Sequence, residues 1–214
     1  MAAASPFTIL CGDGIKWLQK NKGVLPAVLA SIPEMSEVGL EEAAYDRFFR
    51  KAAAACLAAV EKDGYAMFIQ TDRKKDGIID KSYLISDEAE KLGLRMMFHK
   101  IALIRDVDGT DLYKPTYSHV LCYSRGGTPG AATPDVFERG EVLYSNGAGI
   151  EATKRLLEFI AKKGINFIID PFIGRGTTLI VAKHMGFLGG IGIDIDPKQC
   201  KEAEANLNKV WKKL

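Results

Sequence analysis

The sequence predicts an α/β protein built on a doubly wound sheet, and three observations predict it. Short apolar runs alternate with helix-patterned segments along nearly the whole chain, the arrangement of a sheet covered on both faces by helices. Two strand-patterned runs, 95–104 and 116–123, are separated by a turn with no helix, so they pair antiparallel in an otherwise parallel sheet. Finally, the apolar run Phe167-Ile168-Ile169 breaks into a glycine-containing turn just before a helix, as strands do at nucleotide sites.

Taken in order, a brief strand at 8–11 ends at Gly12-Asp13, and a helix over 15–20 and a strand at 27–31 follow. Residues 41–60 are alanine-rich and helical, and Gly64 stops that helix before a strand at 65–70. A polar, basic loop at 71–81 leads to a helix over 83–91, then to the antiparallel pair around a turn at 106–114. Residues 125–140, rich in Gly, Pro and Thr, form the longest irregular segment. Beyond it come a helix at 150–163, a strand at 166–169, a helix at 176–185, a strand at 187–193 and a closing helix at 197–211 that Pro197 opens.

Composition narrows the function less than the pattern does. With 214 residues, 47% of them hydrophobic and 26% charged, the chain matches one ordinary globular domain. A net charge of +2 does not announce a nucleic-acid partner, which usually leaves a clustered basic face. Cys11, Cys56, Cys122 and Cys200 are too far apart for a zinc or redox pair and read as reduced, mostly buried thiols. His99, His119 and His184 are equally scattered, so no metal is predicted. No window reaches the ~18 apolar residues a bilayer span needs, and residues 1–7 lack a secretory pattern, which implies a cytoplasmic protein without a membrane partner.

The most specific feature runs from Asp170 through Pro171, Phe172, Ile173, Gly174, Arg175 and Gly176 to Thr177 and Thr178. Gly174 and Gly176 permit backbone angles and a close ligand approach that side chains would block. The helix starting near Thr177 points unpaired N–H groups at a carboxylate or phosphate, and Asp170 can accept a hydrogen bond from an amine. Further on, Gly189-Gly190-Ile191-Gly192-Ile193 runs into Asp194, an acid at a strand's carboxyl end where an adenosine ribose would sit. The bland alternative is a tight turn, with Asp194 or Asp196 capping the helix at Pro197. A P-loop would need a lysine that Gly176-Thr177-Thr178 lacks, and a dinucleotide fingerprint would need a glycine where Leu179 stands.

Residues 170–178, with Gly192-Ile193-Asp194-Ile195-Asp196-Pro197, resemble motifs I and II of the S-adenosylmethionine (SAM)-dependent amino-group methyltransferases of DNA and RNA, the N4-cytosine and N6-adenine type. Ile9-Leu10-Cys11-Gly12-Asp13 looks like the opening strand of the circularly permuted members, in which the catalytic half comes first. The resemblance implies a Rossmann-like methyltransferase sheet of order 3-2-1-4-5-7-6 with strand 7 antiparallel. It divides a single domain, 1–214, into an acceptor half at 1–124, a linker at 125–145 and a cofactor half at 146–214. SAM would be held by Asp170, Pro171, Phe172, Gly174, Gly176, Thr177, Thr178, Asp194 and Ile195, with Asp13 at its adenine end and Asn146 near its methionine end. Residues 116–125 are similar to the family's last strand, and 144–160 lie where the helix flanking the methionine end is expected.

In that family a loop after the fourth strand reads Asp, Asn or Ser, then Pro-Pro, then an aromatic; here it reads Ser31-Ile32-Pro33-Glu34. Methyl transfer from a sulfonium is an in-line displacement, so the loop chiefly positions the amine. The Ser31 hydroxyl and the Ile32 carbonyl can accept its hydrogen bonds and Pro33 can stiffen the turn, but Glu34 cannot stack on a flipped base. Glu34 is left to contact an amine or act as a base. Two readings follow: a methyltransferase acting on an amino nitrogen of a nucleic acid, RNA ahead of DNA, or of a small molecule; or an inactive SAM-binding partner. The segment between Arg125 and Tyr144 is too short for a target-recognition domain, which implies a protein partner supplying that role. Arg73-Lys74-Lys75 and Arg125 are a solvated loop or a phosphate contact. Tyr45, Phe48 and Phe49 are part of a base pocket or, as their helical spacing favours, of the core.

Overall fold

The computed structural model describes residues 6–74, 77–106, 108, 114–144 and 147–211. One eight-stranded sheet runs through both segments of the chain. Its first half contributes β1 (Phe7–Cys11), β2 (Leu25–Ala30), β3 (Val60–Gln70), β4 (Arg95–Leu103) and β5 (Tyr117–Ser124); β6 (Val136–Glu138), β7 (Phe167–Asp170) and β8 (Gly189–Asp194) follow. The helices are α1 (Gly14–Lys20), α2 (Met35–Val38), α3 (Glu42–Ala59), α4 (Lys81–Lys91), α5 (Ile150–Ala161), α6 (Thr177–His184) and α7 (Pro197–Leu207).

The strands lie in the order β1-β8-β7-β2-β3-β5-β4-β6. Numbered as in the unpermuted fold, the first seven positions read 3-2-1-4-5-7-6, as the resemblance implied. Every pairing is parallel except those of β5, which runs antiparallel to both β3 and β4. Side-chain alternation splits the core into two layers. On β3, Ala66 and Phe68 face the layer under α1, α3 and α4, whereas Tyr65, Met67 and Ile69 face the layer under α5, α6 and α7. Tyr45 and Phe49 are fully buried in the first layer with Phe48 packed at its margin, as their spacing predicted. Among the described residues no helix is long and apolar enough to cross a membrane.

Several boundaries differ from the sequence reading. Helix α3 ends at Ala59, and β3 starts at once with Val60, not at Tyr65. Gly64 therefore stops no helix. It sits where the β2–β3 register shifts, and a β-carbon there would lie 2.8 Å from the carbonyl oxygens of both Leu25 and Pro26. The segment 125–140 is not wholly irregular, because β6 adds an edge strand parallel to β4. The last helix ends at Leu207 instead of reaching Trp211, and the short α2 was not foreseen. Three helices begin on an aspartate whose carboxylate accepts a first-turn N–H: Asp13, Asp80 and Asp196.

Three of the four cysteines are buried and all are free; Cys11 is exposed. The glycines before Asp194 are required by close packing. A β-carbon on Gly190 would meet Leu179 at 2.7 Å and the Ile168 carbonyl at 2.8 Å, and one on Gly192 would meet Ile173 at 2.6 Å.

Candidate functional site

Four loops converge at the carboxyl ends of β1, β8, β7 and β2, because these adjacent strands run parallel. At the end of β7, Asp170 is 4% exposed. Its carboxylate accepts the Phe172 N–H at 3.0 Å and the Thr178 hydroxyl. Burial raises its pKa to about 7, assisted by the nearby Asp194 charge and only partly offset by those two donors. Thr177 and Thr178 are buried on the first turn of α6, whose leading N–H groups have no intrahelical partner.

The turn between Asp170 and Thr177 is anchored to its neighbours. Asp194 accepts the Gly174 N–H through one oxygen and the Asp196 N–H through the other, both at 2.9 Å. Each oxygen keeps a lone pair for a further donor. The carbonyl of Arg175 accepts from the buried amide of Asn206, and its guanidinium lies 4.5 Å from the Tyr144 ring. Gly174 and Gly176 have φ of +52° and +103°, so the turn itself demands glycine. The expectation of close ligand approach needs correcting at Gly176. Its absent side chain would point at Ile180 and Ala203 at ordinary distances, toward the helices.

From the N-terminal segment, Gly12 donates its N–H to the Asp194 carbonyl at 2.8 Å. Gly14 packs so closely that a β-carbon there would lie 2.1 Å from the Pro171 carbonyl oxygen. Asp13 caps α1 through Lys16 and lies beside this contact, and Ile195 is 73% exposed just beyond Asp194. Asp196 caps α7, the role the bland alternative allowed it. Asn146 falls outside the described residues. Gly14→Ala is expected to push α1 off the 170–171 turn, costing about 1–3 kcal/mol. Thermal unfolding would register the cost, and an unchanged midpoint would contradict the contact.

In the loop after β2, Glu34 is the residue whose surroundings differ from expectation. Ser31 is exposed and its hydroxyl makes no hydrogen bond among the described residues, whereas Ile32 is 2% exposed. The Pro33 carbonyl accepts from the Tyr45 hydroxyl at 3.0 Å, and burial first, then Glu34 and Glu37, pushes that phenol far above its ordinary pKa. Glu34 begins α2 in a reciprocal capping box with Glu37. Its carboxylate also binds the ammonium of Lys81, which is entirely buried against the Tyr45 and Phe49 rings at 5.9 and 5.8 Å. Glu34 as a free base or amine contact is therefore corrected: it is already engaged.

Sequence reasoning missed Lys81, read as the end of a polar, basic loop, and the cluster next to it. The Lys81 N–H binds Asp72 Oδ1 at 2.9 Å, Asp72 Oδ2 faces His119 Nε2 at 2.9 Å, and His119 Nδ1 faces His99 Nε2 at 2.8 Å. Of the basic run, Arg73 points its guanidinium at the Met35 sulfur, and Lys75 lies outside the described residues. Arg125 donates to the Val60 carbonyl. A separate cavity of about 500 Å³, lined by Met97, Phe98, Phe137, Leu156 and Phe159, lies between the β4–β5 sheet face and α5 and touches none of these site residues.

Solved structures with this fold include TTHA0409 of Thermus thermophilus, a DNA modification methylase by assignment, complexed with S-adenosyl-L-methionine. It is 15% identical with a TM-score of 0.70, and the match covers 94% of each chain. The cytosine-N4-specific PvuII DNA methyltransferase is 13% identical with a TM-score of 0.72, over 99% of this chain and 91% of that one. The M1.HpyAVI–SAM complex is 14% identical with a TM-score of 0.61, over 95% and 100%. At such identities the likeness is one of fold, and the chain has the Rossmann-like methyltransferase fold. In sequence, 58 residues are 47% identical to the type II methyltransferase M.MjaII of Methanocaldococcus jannaschii, spanning 26% of this chain and only 11% of that protein. No protein-family profile matches the chain.

Proposed function

We propose that this chain is a cytoplasmic SAM-dependent methyltransferase, a permuted relative of the amino-group enzymes, that acts on an amino nitrogen of a nucleic acid. One observation supports the reading: the 170–176 turn is tied by its Gly174 N–H to Asp194, which brings a strand end, a helix N-terminus and an acid together at one edge of the sheet. In the crevice proposed there, Asp170 meets the methionine amine, the first turn of α6 meets the carboxylate, Asp194 the ribose hydroxyls, and exposed Ile195 one face of the adenine, with Asp13 at its edge. Pro171 and Phe172 floor the crevice, and Asn146 belongs to its methionine end. SAM supplies the electrophilic methyl; the protein positions the amine through the Ser31 hydroxyl and the Ile32 carbonyl. The halves 1–124 and 146–214 contribute the acceptor and cofactor sides, and a protein partner supplies target recognition.

The second reading, an inactive SAM-binding partner, is favoured by one feature: where the motif it resembles carries an aromatic, this chain has Glu34, held by Lys81. Calorimetric SAM titration followed by labelled methyl transfer to RNA, DNA and small-molecule extracts separates the two. Asp194→Ala is expected to weaken SAM by about 1.5–3 kcal/mol for each hydrogen bond lost, beyond any loosening of the turn. Unchanged affinity would remove the ribose role, SAM binding with no acceptor would favour the partner reading, and a preference for NAD or ATP would end both.

A further inference from the structure

On the acceptor side of the sheet, away from the cofactor crevice, Asp72, Asp80 and His119 bring three potential ligand atoms within 4.8 Å of one another. We propose that these residues form a divalent transition-metal site, of the Zn²⁺ or Mn²⁺ class, that fixes the acceptor loop through Lys81.

The geometry suits a cation. Two neighbouring ligands at about 2.1 Å from an ion sit about 3.0 Å apart in octahedral and about 3.4 Å apart in tetrahedral geometry; Asp72 Oδ2 and His119 Nε2, 2.9 Å apart, match the first and spread by about half an ångström for the second. Both carboxylates spend one oxygen on the backbone and keep the other. Asp72 Oδ1 takes the Lys81 N–H, and Asp80 Oδ1 takes the Tyr83 N–H and the Ser82 hydroxyl. His119 is 6% exposed, and its second ring nitrogen meets His99, the outer partner that fixes a ligating imidazole's tautomer. The cation bonded to this group through its own N–H, Lys81, has its ammonium on Glu34, so it does not neutralise the two carboxylates.

A second observation lies beside His119 on the same face of the sheet. Gln70 is paired with His119 across the β3–β5 ladder and so shares its sheet face. It is 2% exposed, yet its Nε2 donor has no partner. A water or anionic oxygen completing the coordination shell would accept from it. Imidazole with carboxylates selects borderline cations over Mg²⁺, and Zn²⁺ over Mn²⁺ in affinity. Once bound, the ion joins the end of β3, the start of β5 and the first turn of α4, where Lys81 grips Glu34.

The full chain, stripped with EDTA and dialysed, should be titrated calorimetrically with ZnCl₂, MnCl₂ and MgCl₂ in the absence of SAM, so that the outcome is independent of methyl transfer. One Zn²⁺ per chain is expected, with an unfolding midpoint that rises with Zn²⁺. Asp80→Asn keeps the helix cap and should weaken Zn²⁺ at least tenfold, and His99→Ala, removing the outer partner, about tenfold. Absence of Zn²⁺ binding by the wild type, or equal affinity in Asp80→Asn, overturns the site and leaves a plain Asp72–His119 hydrogen bond.

Discussion

Between about pH 4 and pH 7 the ligand-free protein is expected to lose stability as pH rises, with Asp170 the group responsible. An unfolded aspartate titrates near 3.9, and the buried Asp170 near 7. Below pH 4 both states carry the proton and the group is neutral to stability in either. Between the two values the unfolded chain has ionised and the native one has not, so folding takes up a proton and each added pH unit weakens it. Above 7 the native state carries a desolvated carboxylate, and the loss levels off at about 4 kcal/mol as an upper bound. Asp170→Asn keeps an acceptor for the Phe172 N–H and cannot ionise. Urea unfolding at pH 5 and pH 8 should show the slope in the wild type and its removal in the variant.

If Asp170 meets the SAM amine as proposed, SAM binding should show the opposite dependence. A cationic amine selects ionised Asp170, so apparent affinity should climb about tenfold per unit up to pH 7 and then level. Destabilisation of the free protein and tighter binding are thus two readings of one proton, the usual pairing of a strained site with its function. Asp170→Asn should bind SAM weakly and without this slope. If the variant retains either wild-type slope, another group is responsible.

The turn at 170–178 and the strand before Asp194 were legible because their signals are local. The turn of Gly174 and Gly176, the packing glycines and Asp194 each answer a backbone demand visible within a few residues, and the strand order followed from the permuted motif arrangement. What sequence could not show are contacts set by tertiary register. Glu34 meets Lys81 only because β2 and β3 are neighbours and α4 starts behind β3. Asp72 meets His119 only because Gln70 pairs with His119 across an antiparallel ladder. A lysine at the end of a polar run and a solitary histidine carry no mark of such partners, so neither was singled out. The edge strand β6 was hidden for a related reason: three residues in a Gly/Pro-rich stretch owe their pairing to β4 and not to their own propensity.

Removing Glu34 and removing Lys81 are expected to have unequal costs, and the inequality tests how the acceptor loop is built. Lys81 has no exposed side-chain surface, while Glu34 keeps 42% of its own. Glu34→Ala leaves an ammonium among Tyr45, Phe49 and the core with only ring faces for company, which should cost about 3 kcal/mol. Lys81→Met fills the same volume without charge and releases Glu34 into water, so its effect should stay within about 1 kcal/mol. The double variant should then recover most of the stability that Glu34→Ala loses, a non-additivity measurable by urea unfolding. A double variant as unstable as Glu34→Ala would show that the carboxylate matters for the α2 capping box and not for Lys81. Because Lys81→Met is expected to fold, it also isolates the pair's part in chemistry. If Lys81 holds the loop in place for the acceptor, methyl transfer should fall more than tenfold while SAM affinity is unchanged, since the residues proposed to hold SAM follow β1, β7 and β8 and do not touch Lys81.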